Sequence, residues 1–174
     1  MRRIRLSNKE VRELRAANKA MAPILEKADV VEVAQLSEKE SIYLIDGEPL
    51  FVKVAIPDLG DVIAPTLFLI HKSSKASLLS TYPKAVVDAG AVKRIIDGAD
   101  VMRPGIKHLD GDFEKGDVVF VTDEKGRVIA MSVALFSRAE IEQMQKGKVL
   151  INIHYLGDKI WRASQELAKK TSSE

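Results

Sequence analysis

The apolar positions of this chain change their spacing along its length, and each change marks a new element. Val11, Leu14, Met21, Leu25 and Ala28 recur at intervals of three, four and seven, the stripe of an amphipathic helix. Ser7 and Glu10 stand where a capping box starts such a helix, and Pro23 predicts a kink or break within it. From Val30 the spacing drops to two. Val31 and Val33, then Ile42 and Leu44, then Leu50, Val52 and Val54 read as strands. Asp46-Gly47 is a hairpin signal, although Glu48-Pro49 favours a longer loop than the two-residue turn. Leu59-Gly60-Asp61 reads as a loop, and Pro65-Thr66 open a short apolar helix through Leu67 and Ile70. The serine-rich stretch from Ser73 to Thr81 is the predicted linker, with a domain boundary near residue 80.

Beyond it, Val86 to Leu109 reads as a strand end, a short helix and a second strand closed by a Pro-Gly turn. Asp88 is the predicted N-cap. Val92, Ile95 and Ile96 share the inner face, Lys93 and Arg94 face outward, and Gly98 ends the helix. Val118 to Val121 and Val128 to Phe136 form a hairpin around Asp123-Glu124-Lys125-Gly126. Ser137 and Glu140 make a second capping box, with Ile141 and Met144 inward and Gly147 as the stop, before a last strand through Val149, Ile151 and Ile153. Trp161 is expected as a buried packing anchor, and residues 163–174, with little apolar content beyond Leu167, as a tail with a mobile end.

Length allows one large domain or two small ones, and 46% apolar with 30% charged residues is ordinary for a soluble globular protein. No apolar run is long enough to span a bilayer, and the start lacks the apolar core of a secretory signal, so a soluble intracellular protein is the default expectation. The absence of cysteine excludes disulfides, thiolate metal sites and cysteine nucleophiles. His71, His108 and His154 lie far apart without a His-Glu-x-x-His spacing, so no metal site is expected. Neither a Walker loop, a Gly-x-Ser-x-Gly elbow nor a dinucleotide pattern is present. A net charge of +2 argues weakly for nucleic acid, but its distribution says more. Arg2, Arg3, Arg5, Lys9, Arg12, Arg15 and Lys19 crowd the start against only Glu10 and Glu13, which fits either a phosphate-touching arm or a solvated helix face.

Val87-Asp88-Ala89-Gly90-Ala91, Gly98-Ala99-Asp100-Val101-Met102 and Pro104-Gly105-Ile106 resemble the opening of a PUA domain, the pseudobarrel of RNA-modifying enzymes and translation proteins. Pro65-Thr66-Leu67 with Leu69, His71 and Lys72 precede them. Ser137 to Gly147, Ile153-His154-Tyr155-Leu156, Asp158 and Trp161 follow. Together these are similar to the malignant T-cell-amplified sequence family, its archaeal and fungal relatives, and the beginning of ligatin, over roughly residues 30–162. The resemblance implies an α+β chain: an N-terminal α/β pre-PUA domain over 1–80 packed on a C-terminal PUA β-pseudobarrel over 81–162, with 163–174 as the tail. It implies no catalytic activity and no cofactor. It also implies an RNA-binding translation protein of the cytoplasm, not of a membrane, that contacts the small ribosomal subunit near the tRNA acceptor end in recycling or reinitiation. Its partners would be rRNA or the tRNA acceptor end, the small subunit and an initiation-factor-like protein. One alternative is an RNA-binding accessory for tRNA or rRNA modification, which needs a catalytic partner. Another is a small stand-alone enzyme, which needs close titratable groups in a deep pocket.

In the family the RNA groove lies between the first helix and the second strand of the PUA domain. Carried over, it falls on Asp88, Gly90, Lys93 and Arg94, then on Arg103, Gly105 and Lys107. The basic side chains would pair with phosphates, and the glycines would let the RNA backbone approach. Adjacent helical residues diverge by about 100°, so Lys93 and Arg94 cannot both enter one groove; Lys93 is the favoured one. Of the histidines, His108 reads as a loop residue without a role, His154 as a local hydrogen-bond partner of Asp158, and His71 as a core or boundary residue.

Overall fold

The strands fall into two separate sheets in the computed structural model, which describes residues 1–173. The chain forms two units: residues 1–81 with the segment from Lys159 onward, and Tyr82–Asp158.

In the first unit β1 (Arg3–Arg5), β2 (Val31–Gln35), β3 (Glu40–Ile45), β4 (Glu48–Ile56) and β5 (Gly60–Pro65) lie side by side in chain order, all antiparallel. Sequence patterning does not foresee β1 and β5. Arg3-Ile4-Arg5 is too short and basic to signal a strand, and it becomes one because residues 32–34 of β2 supply its hydrogen-bond partners. The turn between β3 and β4 is shorter than expected. Ile45 pairs with Glu48, leaving Asp46 and Gly47 as a two-residue turn with φ of 50° and 85°. Both residue types tolerate left-handed backbone, and this turn matches the twist of its strands. The missing N–H of Pro49 coincides with a register shift between Tyr43 and Leu44, where the ladder tolerates it.

Helix α1 (Asn8–Ala17) begins at its capping box: Ser7 accepts from the Glu10 N–H at 3.1 Å, and Glu10 accepts from the Ser7 N–H at 3.0 Å. A 3-10 turn at Lys19–Met21 follows, then α2 (Ala22–Leu25) with Pro23 in its first turn, where the absent N–H costs nothing. Met21, Ile24 and Leu25 join Val31, Ile45, Leu50, Phe51 and Leu69 in one core. Thr66 caps α3 (Leu67–Lys72), accepting from the Leu69 N–H at 3.1 Å and donating to the Pro49 carbonyl at 2.7 Å. In place of a tail, α6 (Lys159–Ser173) closes this unit over β4 and α3. Ile160, Ala163 and Leu167 are its buried positions, a sparse stripe at spacings of three and four that composition alone hides. Trp161 is therefore not part of the barrel. It is half-buried in the first unit, edge-on to an exposed His71 at 6.3 Å.

The second unit holds β6 (Lys84–Val87), α4 (Ala89–Ile95), β7 (Val101–Met102), β8 (Ile106–Asp110), β9 (Val118–Thr122), β10 (Val128–Ala134), α5 (Arg138–Gln143) and β11 (Lys148–Tyr155). Their order is β7-β11-β10-β9-β6-β8, with β6 parallel to β9 and the other pairs antiparallel. Register shifts in β10, after Val128 and after Met131, sit where the sheet curls on itself. Every residue of β10 is buried. Val87, Ala91, Ile95, Val101, Val119, Val121, Ile141 and Leu150 fill the interior. The chain is α+β and its second sheet is the PUA pseudobarrel that the resemblance implies. One inner-face expectation fails: Ile96 is 44% exposed, because the helix ends at Ile95 and the chain reverses through Gly98 at φ 102°. Tyr82 stacks on Phe120 with ring centroids 4.7 Å apart, and burial pushes its phenol up to about 12, so it stays protonated.

Candidate nucleic-acid interface

Helix α4 is fixed from both ends. At its start the Asp88 carboxylate accepts from the Ala91 N–H at 2.8 Å, while the Asp88 N–H donates to the Gly105 carbonyl at 2.9 Å. At its end the Asn152 amide donates to the Ile95 and Ala99 carbonyls, both at 3.0 Å. The Asn152 N–H donates to Asp100 at 2.8 Å, and Asp100 pairs with Lys148 at 3.0 Å. Nothing in the sequence marks Asn152, because its partners lie more than fifty residues away.

The residues singled out from the sequence do not form one groove. Lys93 and Arg94 are both exposed but look to opposite flanks of α4. Arg94 lies on the side of β7, with Ala91, Asp100, Met102 and Gly105, where the space left is only about 10 Å³. Lys93, the favoured member of the pair, lies instead beside the β9–β10 turn. Arg103 turns inward. Its Nε donates to the Ile141 and Met144 carbonyls at 2.8 and 3.0 Å, so its guanidinium satisfies the end of α5. Lys107 is exposed on β8 and shares a third depression, of about 220 Å³, with Arg103, His108 and Arg138, so the fold does bring Arg103 and Lys107 together. Asp88 serves as a helix cap. Gly105 is buried, and a Cβ there would meet the Ala91 Cβ at 2.9 Å, so its missing side chain lets the helix pack closely. Gly90 is exposed, and a Cβ on it would make only ordinary contact, 3.5 Å from an Asp88 oxygen.

The largest opening in this unit among those described lies between α4 and the β9–β10 turn, about 390 Å³. Val87, Ala89 and Val92 form its apolar side; Lys93, Lys125 and Arg127 bring positive charge, with Asp123 and Glu124 beside them. Arg127 Nε donates to Asp123 at 2.6 Å, which sets the plane of a guanidinium whose side chain is 70% exposed. Burial works against ionisation of Asp123. Hydrogen bonds from the backbone and side chain of Arg127 and the backbone of Lys125 outweigh it and hold the carboxyl below its ordinary value. In the sequence 123–126 is a plain turn; Lys125 within it and Arg127 just after it gain meaning only from lying opposite Lys93.

The histidines are elsewhere. His154 is fully buried, its Nδ1 donating to the Asp158 carboxylate at 2.9 Å, the local bond expected from the sequence. His108 meets Asp110 at 2.8 Å on the surface. Among the described residues no group of three or more His, Asp or Glu side chains is placed to hold a metal, and no helix is long and apolar enough to cross a membrane.

Comparison with known proteins starts from the same division. Residues 83–156 match the model of the PUA domain, and residues 2–73 that of a domain of unknown function, DUF1947. Translation machinery-associated protein 20 of Saccharomyces cerevisiae is 32% identical over 150 residues, spanning 82% of this chain and 77% of its own. Malignant T-cell-amplified sequence 2 of Homo sapiens is 32% identical over 142 residues, 79% of this chain and 74% of its own. The chain belongs to their family. A crystal structure of a hypothetical protein from the archaeon Pyrococcus horikoshii has the same fold, with a TM-score of 0.73 at 31% identity, covering 94% of this chain and 99% of the other. Helix α6 lies outside both matched models, which end at residues 73 and 156.

Proposed function

We propose that this protein binds RNA in translation, contacting the small ribosomal subunit and the tRNA acceptor region during recycling or reinitiation. The observation that carries this reading is the depression on the PUA unit between α4 and the β9–β10 turn. At about 390 Å³ it is large enough for a nucleotide, since small-molecule sites run from about 300 to 1,000 Å³. Its apolar side suits the face of an unstacked base, and the oriented guanidinium of Arg127 offers a plane to stack on. Lys93 and Lys125 make no ion pair or side-chain hydrogen bond among the described residues, so both are available to phosphates. The relative's name, Translation machinery-associated protein 20, supports the setting, which in turn makes the cytoplasm the working compartment and an initiation-factor-like protein a fitting partner.

The test is fluorescence anisotropy with an RNA hairpin ending in single-stranded CCA, together with co-sedimentation with small ribosomal subunits. The parent protein should bind both. Lys93→Ala with Lys125→Ala should weaken hairpin binding and lower the slope of log affinity against log salt by about two units, one per lost phosphate contact. A parent protein that binds neither the hairpin nor the subunit overturns the reading.

A further inference from the structure

A run of uncommitted positive charge lies outside the PUA unit, at the start of the chain. In that unit three of the four arginines are engaged: Arg103 by helix carbonyls, Arg127 by Asp123 and Arg138 by Glu142. In the first unit Arg5, Lys9, Arg12, Arg15 and Lys19 make no ion pair and no side-chain hydrogen bond among the described residues. All but Arg15 are exposed, and Arg15 is half-buried.

The helix arranges these charges by type. Its capping box starts the count at Asn8, and successive residues then turn by about 100°. Val11 and Leu14 face the core and are half-buried against it. Arg15, Arg12, Ala16 and Lys9 follow one another around the outer face; Glu13 lies about 40° beyond Lys9, at the edge of this flank, and Glu10 farther round. Exposed Arg5 at the end of β1 and Lys19 after α1 bracket this flank in the chain. Of the two carboxylates on this helix, Glu10 is withdrawn to the Ser7 N–H, and Glu13 makes no ion pair with Lys9 or Arg12 among the described residues. Like charges three residues apart on a helix oppose its formation, so the array works against the helix that carries it. It is relieved when anions occupy it.

We infer that this flank of α1 is a second RNA contact, one that grips the phosphates of a duplex without reading its sequence. The inference rests on the RNA reading above and extends it to the first unit. Duplex RNA is the occupant that the chemistry favours. The flank carries cations and Ala16 but no large apolar side chain, whereas a protein interface is built around an apolar centre. Exposed Ile4 belongs to the opposite face of β1 from Arg5, because neighbouring strand residues point to opposite sides. Double-stranded RNA is recognised mainly through its backbone, which needs just such a row of point charges.

The experiment uses the full chain with Arg5→Gln, Lys9→Gln and Arg12→Gln together, and two fluorescent probes: a blunt RNA duplex and the bare single-stranded CCA end. The melting temperature should stay at the parent value or rise slightly, since the three residues are exposed and their removal relieves like-charge repulsion along the helix. Binding to the duplex should weaken, with a salt slope lower by about three units, while binding to the single-stranded end is unchanged. Parent-like duplex affinity and slope in this variant and in Arg15→Gln with Lys19→Gln overturn the inference, as does an equal loss on the single-stranded end. Displacement of the duplex by a polyglutamate peptide as readily as by unlabelled duplex also overturns it, in favour of an acidic protein partner. The two readings fail separately. If Lys93→Ala with Lys125→Ala loses the single-stranded end while the flank variants bind duplex like the parent, the PUA site stands and the α1 site falls.

Discussion

Gly105 lies so close to Ala91 that a Cβ on the glycine would sit 2.9 Å from the alanine Cβ. The obstructing atom belongs to the backbone-anchored face of α4, and it cannot swing aside as the tip of a long side chain would. Gly105→Ala must therefore push the helix off β7 and its following turn, at a cost of about 1–3 kcal/mol from overpacking. Urea unfolding measures that loss. A variant as stable as the parent would show that the helix is free to move.

Arg103 gives a contrasting case, because it is basic and near the surface yet already committed. Its Nε bonds to Ile141 and Met144 close the end of α5, so Arg103→Ala strips a donor from both carbonyls, of which Ile141 keeps the Met144 N–H at 3.0 Å. We expect a loss of about 1.5–3 kcal/mol in stability, the range for hydrogen bonds to charged groups, with the salt dependence of RNA binding unaltered. The pair of measurements separates roles: an unchanged unfolding curve with a reduced salt slope would make Arg103 a phosphate contact instead.

Asp123 should make the protein sensitive to acid. Burial disfavours its charge, but hydrogen bonds from Arg127 and Lys125 prevail and lower its pKa in the folded state. A carboxyl with a lowered folded pKa binds its proton more readily when unfolded. Its contribution is present above the ordinary aspartate value, about 3.9, and disappears as pH falls through the lower folded value. Asp123→Asn should therefore reduce stability at neutral pH and flatten its decline in acid, read from urea unfolding at stepped pH. An acid limb as steep as the parent's would assign the sensitivity to other carboxylates.

Leu167 is 1% exposed on α6, seven residues after Ile160, also 1% exposed. If α6 completes the first unit, Leu167→Ala should cost about 2–5 kcal/mol, the range for emptying a buried leucine site. Hydrogen exchange should then show the lost protection in β4 and α3, the elements that α6 covers. Loss confined to β9 and β10 would place the helix on the barrel.

What the sequence determined by itself was local. The caps at Ser7, Thr66, Asp88 and Ser137 join groups within three residues of each other, so their side-chain types and spacing suffice to announce them. The alternation through β2 to β4 and the hairpin of β9 and β10 are legible for the same reason, since burial on one face writes a period of two into the chain. The motifs around Asp88 and Pro104-Gly105 also carried the family and, with it, the pseudobarrel. Tertiary structure decided what depends on partners far along the chain. Arg3–Arg5 is a strand because β2 accepts it, and α6 joins the first unit because β4 and α3 offer apolar surface to a sparse stripe. Lys93 and Arg94 are neighbours in sequence, yet helical rotation sends one to the β9–β10 turn and the other to β7. Arg103 and Lys107 look alike as basic residues, but only the fold brings the α5 carbonyls to Arg103 and leaves Lys107 to solvent. Charge type is written in the sequence; whether a charge is already spent depends on which distant backbone groups the fold brings within hydrogen-bond reach.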